Sequence, residues 1–342
     1  MTSSVFQQEF PVRRGMVQTS LGALGYLICQ PSSSNSSSTT PRSAILCFHA
    51  SPRNSDEYLE VLPLLAAHGS RTVVALDMPG YGISENPPHS CSIDDIADAF
   101  LQVASTLGIE QFITLGNLMG NFPAVSLAAR YPDKVKACVL TNLYFWSLPQ
   151  KKKSAEEAPP TQSTSSSPTS VTNTLATTVT MDEQPTASPS TPSSSRRSST
   201  MTIPDSFQVN ADGSHLLKLH NKRPWLDTDL NLRVVQGELT YLVNRRQRYQ
   251  QGISIQDLSS FDFPTPAQQT QCPTLCVKGQ ACVDFFDQIG YHGTRQFEQG
   301  CAYLGQNNKS TLEGPRSTLN LLNQMPDEFA KVCIAFLEKH DL

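Results

Sequence analysis

The chain has 342 residues, a net charge of −4 and a pI near 6.0. That balance carries no electrostatic footprint for nucleic acid, and no apolar run approaches the ~18 residues needed to span a bilayer, so neither a nucleic-acid nor a membrane partner is expected. Nine cysteines without a secretory leader point to free thiols in a reducing compartment; a cytoplasmic location is expected, with Arg13 and Arg14 leaving an organelle transit peptide open.

In chain order, Val12 to Cys29 reads as two antiparallel strands joined around Thr19 to Gly22. A Ser-rich loop from Pro31 to Pro41 precedes the apolar run Ser43 to Phe48, which ends in His49-Ala50-Ser51-Pro52. The run Thr72 to Leu76 suits a strand buried on both faces, and Asp77-Met78-Pro79-Gly80-Tyr81-Gly82-Ile83-Ser84 closes it. A helix is predicted from about Ser92 to Leu107. The apolar Phe112-Ile113-Thr114-Leu115 then runs directly into Gly116-Asn117-Leu118-Met119-Gly120, with a helix from Phe122 to Tyr131 behind it. Glycines flanking such a strand-to-helix turn let the central residue take a left-handed, strained conformation that neighbouring Cβ atoms would otherwise obstruct. Lys136 to Thr141 is the next strand.

Between Trp146 and Phe207 there is no aromatic residue, and residues 151–200 are dominated by Ser, Thr and Pro. Such a segment buries too little apolar area to offset its conformational entropy and is expected to be disordered. The expected organisation is one domain interrupted by an insert: residues 1–145 the N-terminal half of the core, 146–206 the insert, 207–262 a helical cap, and 263–342 the rest of the core. Within the cap, Arg233, Arg245, Arg246 and Arg248 form either a basic face for an acidic ligand or a solvated helix face. Trp225 either lines a pocket or packs the cap onto the core. Pro273 to Gly279 is a further strand, and Pro326 to His340 an amphipathic helix. Cys272 and Cys276 have no second pair at ligand spacing, so no metal is expected, and no cofactor is called for. Strands alternating with helices imply an α/β fold, a mostly parallel sheet with helices on both faces.

Several of these segments, in this order, resemble the α/β-hydrolase fold superfamily. His49-Ala50-Ser51-Pro52 is similar to its H-G-x-P loop, Asp77 to Ser84 to its D-x-P-G-x-G-x-S turn, and Gly116 to Gly120 to its nucleophile elbow G-x-S-x-G. Tyr131-Pro132-Asp133-Lys134-Val135, Pro273 to Gly279 and Met325-Pro326-Asp327-Glu328-Phe329-Ala330 resemble later landmarks of the same superfamily. The resemblance implies that fold, with the cap entering after the sixth strand near Asn142.

It also implies a nucleophile, an acid and a base, and here the sequence departs from the pattern. Leu118 stands where the nucleophile belongs. Cys282, three residues after Gly279, stands where the acid usually lies; Asp284 is a possible displaced acid. Counting back from Pro326 puts Leu319 at the base position, and no histidine occurs between His292 and His340. What the resemblance leaves is the backbone oxyanion hole, whose donors map to Met119 and Ser51, with His49 holding backbone. Ala50 in place of the family glycine alters the loop.

Two readings follow. In one, the protein is a hydrolase-shaped pseudoenzyme that binds a small ligand or a partner; in the other, it is an atypical hydrolase or lyase using Asp284, Cys282 or His49. Separately, Arg196-Arg197-Ser198-Ser199 resembles a target of a basic-directed kinase, where phosphate would add a charge of about −2. The oligomeric state is left open.

Overall fold

The computed structural model describes residues 10–31, 42–68, 71–144, 210–221, 226–256, 260–305, 307–313 and 321–342. The expected insert at 146–206, the kinase-like Arg196-Arg197-Ser198-Ser199, most of the Pro31 to Pro41 loop, Trp225 and Leu319 lie outside those residues.

The N-terminal half runs β1 (Val12–Thr19), β2 (Gly22–Cys29), β3 (Ala44–Phe48), α1 (Val61–Ala67), β4 (Val73–Leu76), α2 (Ile93–Thr106), β5 (Phe112–Asn117), α3 (Asn121–Arg130) and β6 (Val135–Thr141), with every element but α1 expected from the sequence. The segment expected as a cap, and called so below, supplies α4 (Ser214–Asn221) and the long α5 (Thr228–Gln250). The chain closes with α6 (Pro264–Gln269), β7 (Thr274–Gly279), α7 (Gln280–Gln288), α8 (Gly293–Tyr303), β8 (Asn307–Leu312), α9 (Leu321–Gln324) and α10 (Pro326–Lys339). The sequence reading passed over α1, α6, α7, α8 and α9.

The eight strands form one sheet in the order β1-β2-β4-β3-β5-β6-β7-β8. The β1–β2 and β2–β4 pairs are antiparallel, and every pair from β4 to β8 is parallel. Successive side chains on β3 take opposite faces. Leu46 and Phe48 pack with Phe100 of α2 and Phe122 of α3, whereas Ile45 and Cys47 pack with Leu62 of α1 and Phe329 of α10. Two buried layers on one sheet explain why the central strands are apolar throughout. Helix α2 starts at a capping box in which Ser92 and Asp95 satisfy each other's backbone N–H groups.

Parallel order delivers the carboxyl ends of β3, β5, β6 and β7 to one edge, and the turn after β5 is closely packed there. A Cβ on Gly120 would run into the Phe48 carbonyl, and one on Gly116 would lie 2.6 Å from the Asn121 Cα. With glycine two residues away on either side, Leu118 takes a φ of +48°, in the left-handed region that β-carbons disfavour. The strain at the centre is the feature the two glycines make room for.

At an ordinary helical position glycine is less stable than alanine by about 1 kcal/mol. At position 118 the order reverses: Leu118→Gly is expected to be more stable than Leu118→Ala by ~1 kcal/mol, because glycine relieves the left-handed backbone. Urea unfolding of the two variants measures the difference; an alanine variant at least as stable as the glycine variant would contradict the strained turn.

Candidate functional site

Leu118 stands half-buried at the top of the elbow, and the short 3-10 turn Leu118–Gly120 leads directly into α3. The elbow is held from both sides. Asn121 Nδ2 donates to the Thr141 carbonyl at 2.9 Å while its Oδ1 accepts from the Thr141 N–H at 3.2 Å. Asn117 reaches the other way, its Nδ2 donating to Glu57 Oε1 at 3.0 Å. These contacts fasten the turn to the end of β6 and to the loop after β3.

That loop contains His49 and Ser51, of which Ser51 is the one matched to an oxyanion donor; His49, grouped with it as a ligand-site residue, does not face a ligand. His49 is fully buried; its Nε2 accepts from the Met78 N–H at 3.0 Å, so the proton sits on Nδ1, which donates to the Ala50 carbonyl at 2.8 Å. Both ring nitrogens are therefore spent on backbone, as the resemblance implies. Burial, opposed by the Ala50 contact and aided by the nearby Arg53 charge, holds the imidazole pKa down to about 4. Ser51 Oγ shares a 2.9 Å hydrogen bond with the Tyr81 hydroxyl, and the Tyr81 ring stacks on Tyr241 of the cap at 4.8 Å. Among the described residues, neither the Ser51 nor the Met119 N–H is bonded to another residue outside its own turn.

The remaining matched positions are dispersed. Cys282 is buried in the first turns of α7, and burial pushes its thiol up, away from the thiolate. Asp284, two residues on, is exposed and accepts from Gln280 Nε2 at 2.7 Å. Helix α7 begins at Gln280, so the loop on which an acid would sit three residues past Gly279 is replaced by helix. The matched base, Leu319, lies outside the described residues.

Sequence reasoning missed Glu57. Fully buried beside the elbow, it accepts from the Ala50 N–H at 2.8 Å with Oε2 and from Asn117 with Oε1. Burial raises its pKa, against the opposing pull of Arg53, the Ala50 N–H and the Asn117 amide. Arg53 Nη2 donates to Asn323 Oδ1 at 3.1 Å, and Asn323 Nδ2 donates back to the Glu57 carbonyl and to Glu60 Oε2, at 3.0 and 2.7 Å. A lone Glu in a polar 3-10 turn, Ser55–Tyr58, gives no periodic signal that would mark it as buried.

The four cap arginines do not share a face. Arg233 pairs with Glu60, and Arg248, 4% exposed, donates to Asn86 Oδ1 at 2.7 Å and to the Gly80 carbonyl at 3.4 Å. Arg245 and Arg246 are exposed, Arg245 lying over the Tyr241 ring at 5.6 Å. Two of the four thus clamp the cap onto the loops of the core, because guanidinium groups on an otherwise polar helix can satisfy buried carbonyl and carboxylate acceptors. No group of three or more His, Cys, Asp or Glu among the described residues is placed to hold a metal, and no helix among them is long and apolar enough to cross a membrane.

A family model described as the alpha/beta hydrolase fold matches residues 43–219. A putative non-heme haloperoxidase of Mycobacterium phage D29 is 36% identical over 104 residues, covering 30% of this chain and 37% of that protein. A (lyso)-N-acylphosphatidylethanolamine lipase of Bos taurus is 33% identical over 95 residues, 27% of this chain and 28% of that protein. The chain thus aligns with only about a third of the length of these curated relatives. Among solved structures, the enol-lactonase from Burkholderia xenovorans LB400 superposes with a TM-score of 0.60 at 14% identity, over 95% of this chain and 100% of that one. At that identity the likeness is one of fold.

A depressed histidine pKa makes stability depend on pH. With a folded-state value of about 4 against 6.5, His49 contributes fully above about pH 6.5, and the contribution is lost as pH falls toward 4. At ~1.4 kcal/mol for each pH unit below 6.5, about 2 to 3 kcal/mol is lost by pH 4.5. Urea unfolding at pH 7.5 and pH 4.5 is expected to show wild type losing that much more stability than His49→Gln; equal losses would mean that His49 is not buried neutral.

Proposed function

The chain belongs to the α/β-hydrolase fold family, and from that premise we propose that it has lost Ser-His-Asp hydrolysis and is a receptor for a small ligand bearing a carbonyl or carboxylate oxygen. The observation that carries this reading is Leu118: the elbow keeps its left-handed turn, at a φ of +48°, and presents a side chain with no atom able to attack a carbonyl. Loss of either the nucleophile or the base costs several orders of magnitude in rate; Leu118 takes the first position at the elbow, and the count back from Pro326 puts Leu319 at the second.

What survives such losses is backbone. The Ser51 and Met119 amides and the N-terminal end of α3 offer fixed partial positive charge to one ligand oxygen. Leucine at the apex supplies apolar contact beneath it. A displaced hydrolase or lyase would have to recruit His49, Cys282 or Asp284. His49 spends both nitrogens on backbone, Cys282 is a buried thiol held away from ionisation, and Asp284 faces solvent.

A serine-directed fluorophosphonate and a panel of short-chain aryl esters test the reading. The purified protein is expected to show neither labelling nor turnover above buffer, while the triple variant Leu118→Ser, Cys282→Asp, Leu319→His gains labelling. Turnover by the wild type that disappears in Cys282→Ser or Asp284→Asn would overturn it.

A further inference from the structure

Backbone pairing between β3 and β5 ends at Phe48 opposite Gly116. Beyond that rung no sheet bond joins the two segments, one running into the loop carrying Ser51 and the other into the elbow carrying Met119, where Gly120 lies against the Phe48 carbonyl. The Glu57 carboxylate spans the gap: Oε2 takes the Ala50 N–H at 2.8 Å, next to Ser51, and Oε1 takes Asn117 Nδ2 at 3.0 Å, two residues before Met119. The line continues across the sheet. Asn117 Oδ1 accepts from Asn142 Nδ2 at 3.4 Å, and Asn142 Oδ1 accepts from the Gly279 N–H at 2.9 Å. Side chains thus add one rung to the carboxyl ends of β3, β5, β6 and β7, and Asn142 adopts a φ of +49° in joining it.

We infer that Glu57 is a positioning residue, whose carboxylate fixes the distance between the Ser51 and Met119 amides and so sets the grip of the site on a ligand oxygen. This rests on the receptor reading for its ligand, though not for its geometry. Every donor and acceptor in the line has one direction. A backbone N–H stands at each end, at Ala50 and at Gly279, so the members between must supply two acceptors to those ends and alternate correctly in the middle. A carboxylate accepts on both sides, which lets Asn117 and Asn142 both point the same way. Burial gives the rung its strength and makes a mismatch costly, since water does not replace a lost partner there.

That directionality provides a test that a merely space-filling role would fail. Glu57→Gln keeps the shape but introduces an NH2 facing the Asn117 NH2; turning Asn117 and Asn142 over to accommodate it leaves a donor facing the Gly279 N–H. Adding Asn117→Asp supplies an acceptor to both neighbours and restores every bond, with the charge unchanged. Amide NMR spectra are recorded for wild type, Glu57→Gln and Glu57→Gln/Asn117→Asp, first free and then titrated with butyrate. The single variant is expected to displace the Ser51, Met119 and Gly279 resonances and to weaken butyrate about tenfold, the loss of roughly one buried hydrogen bond. The double variant is expected to bring both back toward wild type. Unmoved resonances in the single variant, or a double variant no closer to wild type, would overturn the inference. If butyrate leaves the wild-type Ser51 and Met119 amides untouched, the receptor reading fails while the ligand-free spectra still decide the role of Glu57. Should Glu57→Gln not fold, Asn142→Asp perturbs the line from its far end, and Ser51 and Met119 resonances that stay in place would overturn the inference equally.

Discussion

The approach of the elbow helix to the end of β3 is so close that a side chain at Gly120 would occupy the space of the Phe48 carbonyl. Most of the site follows from that contact. It forces β5 to turn within a few residues, which drives Leu118 into a left-handed conformation and leaves it half-buried at the strand ends. It also aims the first turn of α3 at the same spot. The geometry that once suits a nucleophile is a property of backbone and glycine, so replacing the central side chain changes the chemistry of the turn without removing the turn.

Around it, buried polar groups are answered in pairs. His49 holds the Met78 N–H, and Asp77 takes the Ser55 and Ile83 N–H groups at 2.6 and 3.0 Å. The Tyr58 hydroxyl donates to the Phe48 carbonyl at 2.9 Å. Loops that leave a parallel sheet expose backbone donors that the ladder no longer satisfies, and side chains from the neighbouring loops take over. The cap is joined to these loops by the same means, through Arg233 on Glu60 and Arg248 on Asn86 and Gly80. Hydrogen bonds of this kind hold the loops beside the two amides in place, and fixed donors are what recognition of one ligand oxygen requires.

The fold was legible because it depends on features a sequence displays. The buried strands are apolar runs, and the glycines at 116 and 120 mark the turn. Positions given by the elbow motif were legible too, since Leu118 is fixed by its glycines. Positions counted from a strand or helix end fared differently: Cys282 falls inside a helix that starts at Gln280, where a loop was expected. The arginines of α5 were unreadable as docking groups because their partners, Glu60, Asn86 and the Gly80 carbonyl, lie over 150 residues away in sequence. Glu57 was invisible for a related reason. Its burial is decided by Ala50 and Asn117 on two other segments, and an acidic residue in a polar turn looks solvated until those segments are brought over it.

The central claim is that the elbow and the loop after β3 form a binding cradle made of amides above an inert side chain. A crystal structure of the protein soaked with butyrate tests it most directly. One carboxylate oxygen is expected within ~3 Å of both the Ser51 and Met119 nitrogens, with the alkyl chain against Leu118 and no covalent bond to protein. A carboxylate bound elsewhere with the two amides bare, or density continuous with a side chain after soaking with an activated ester, would contradict it.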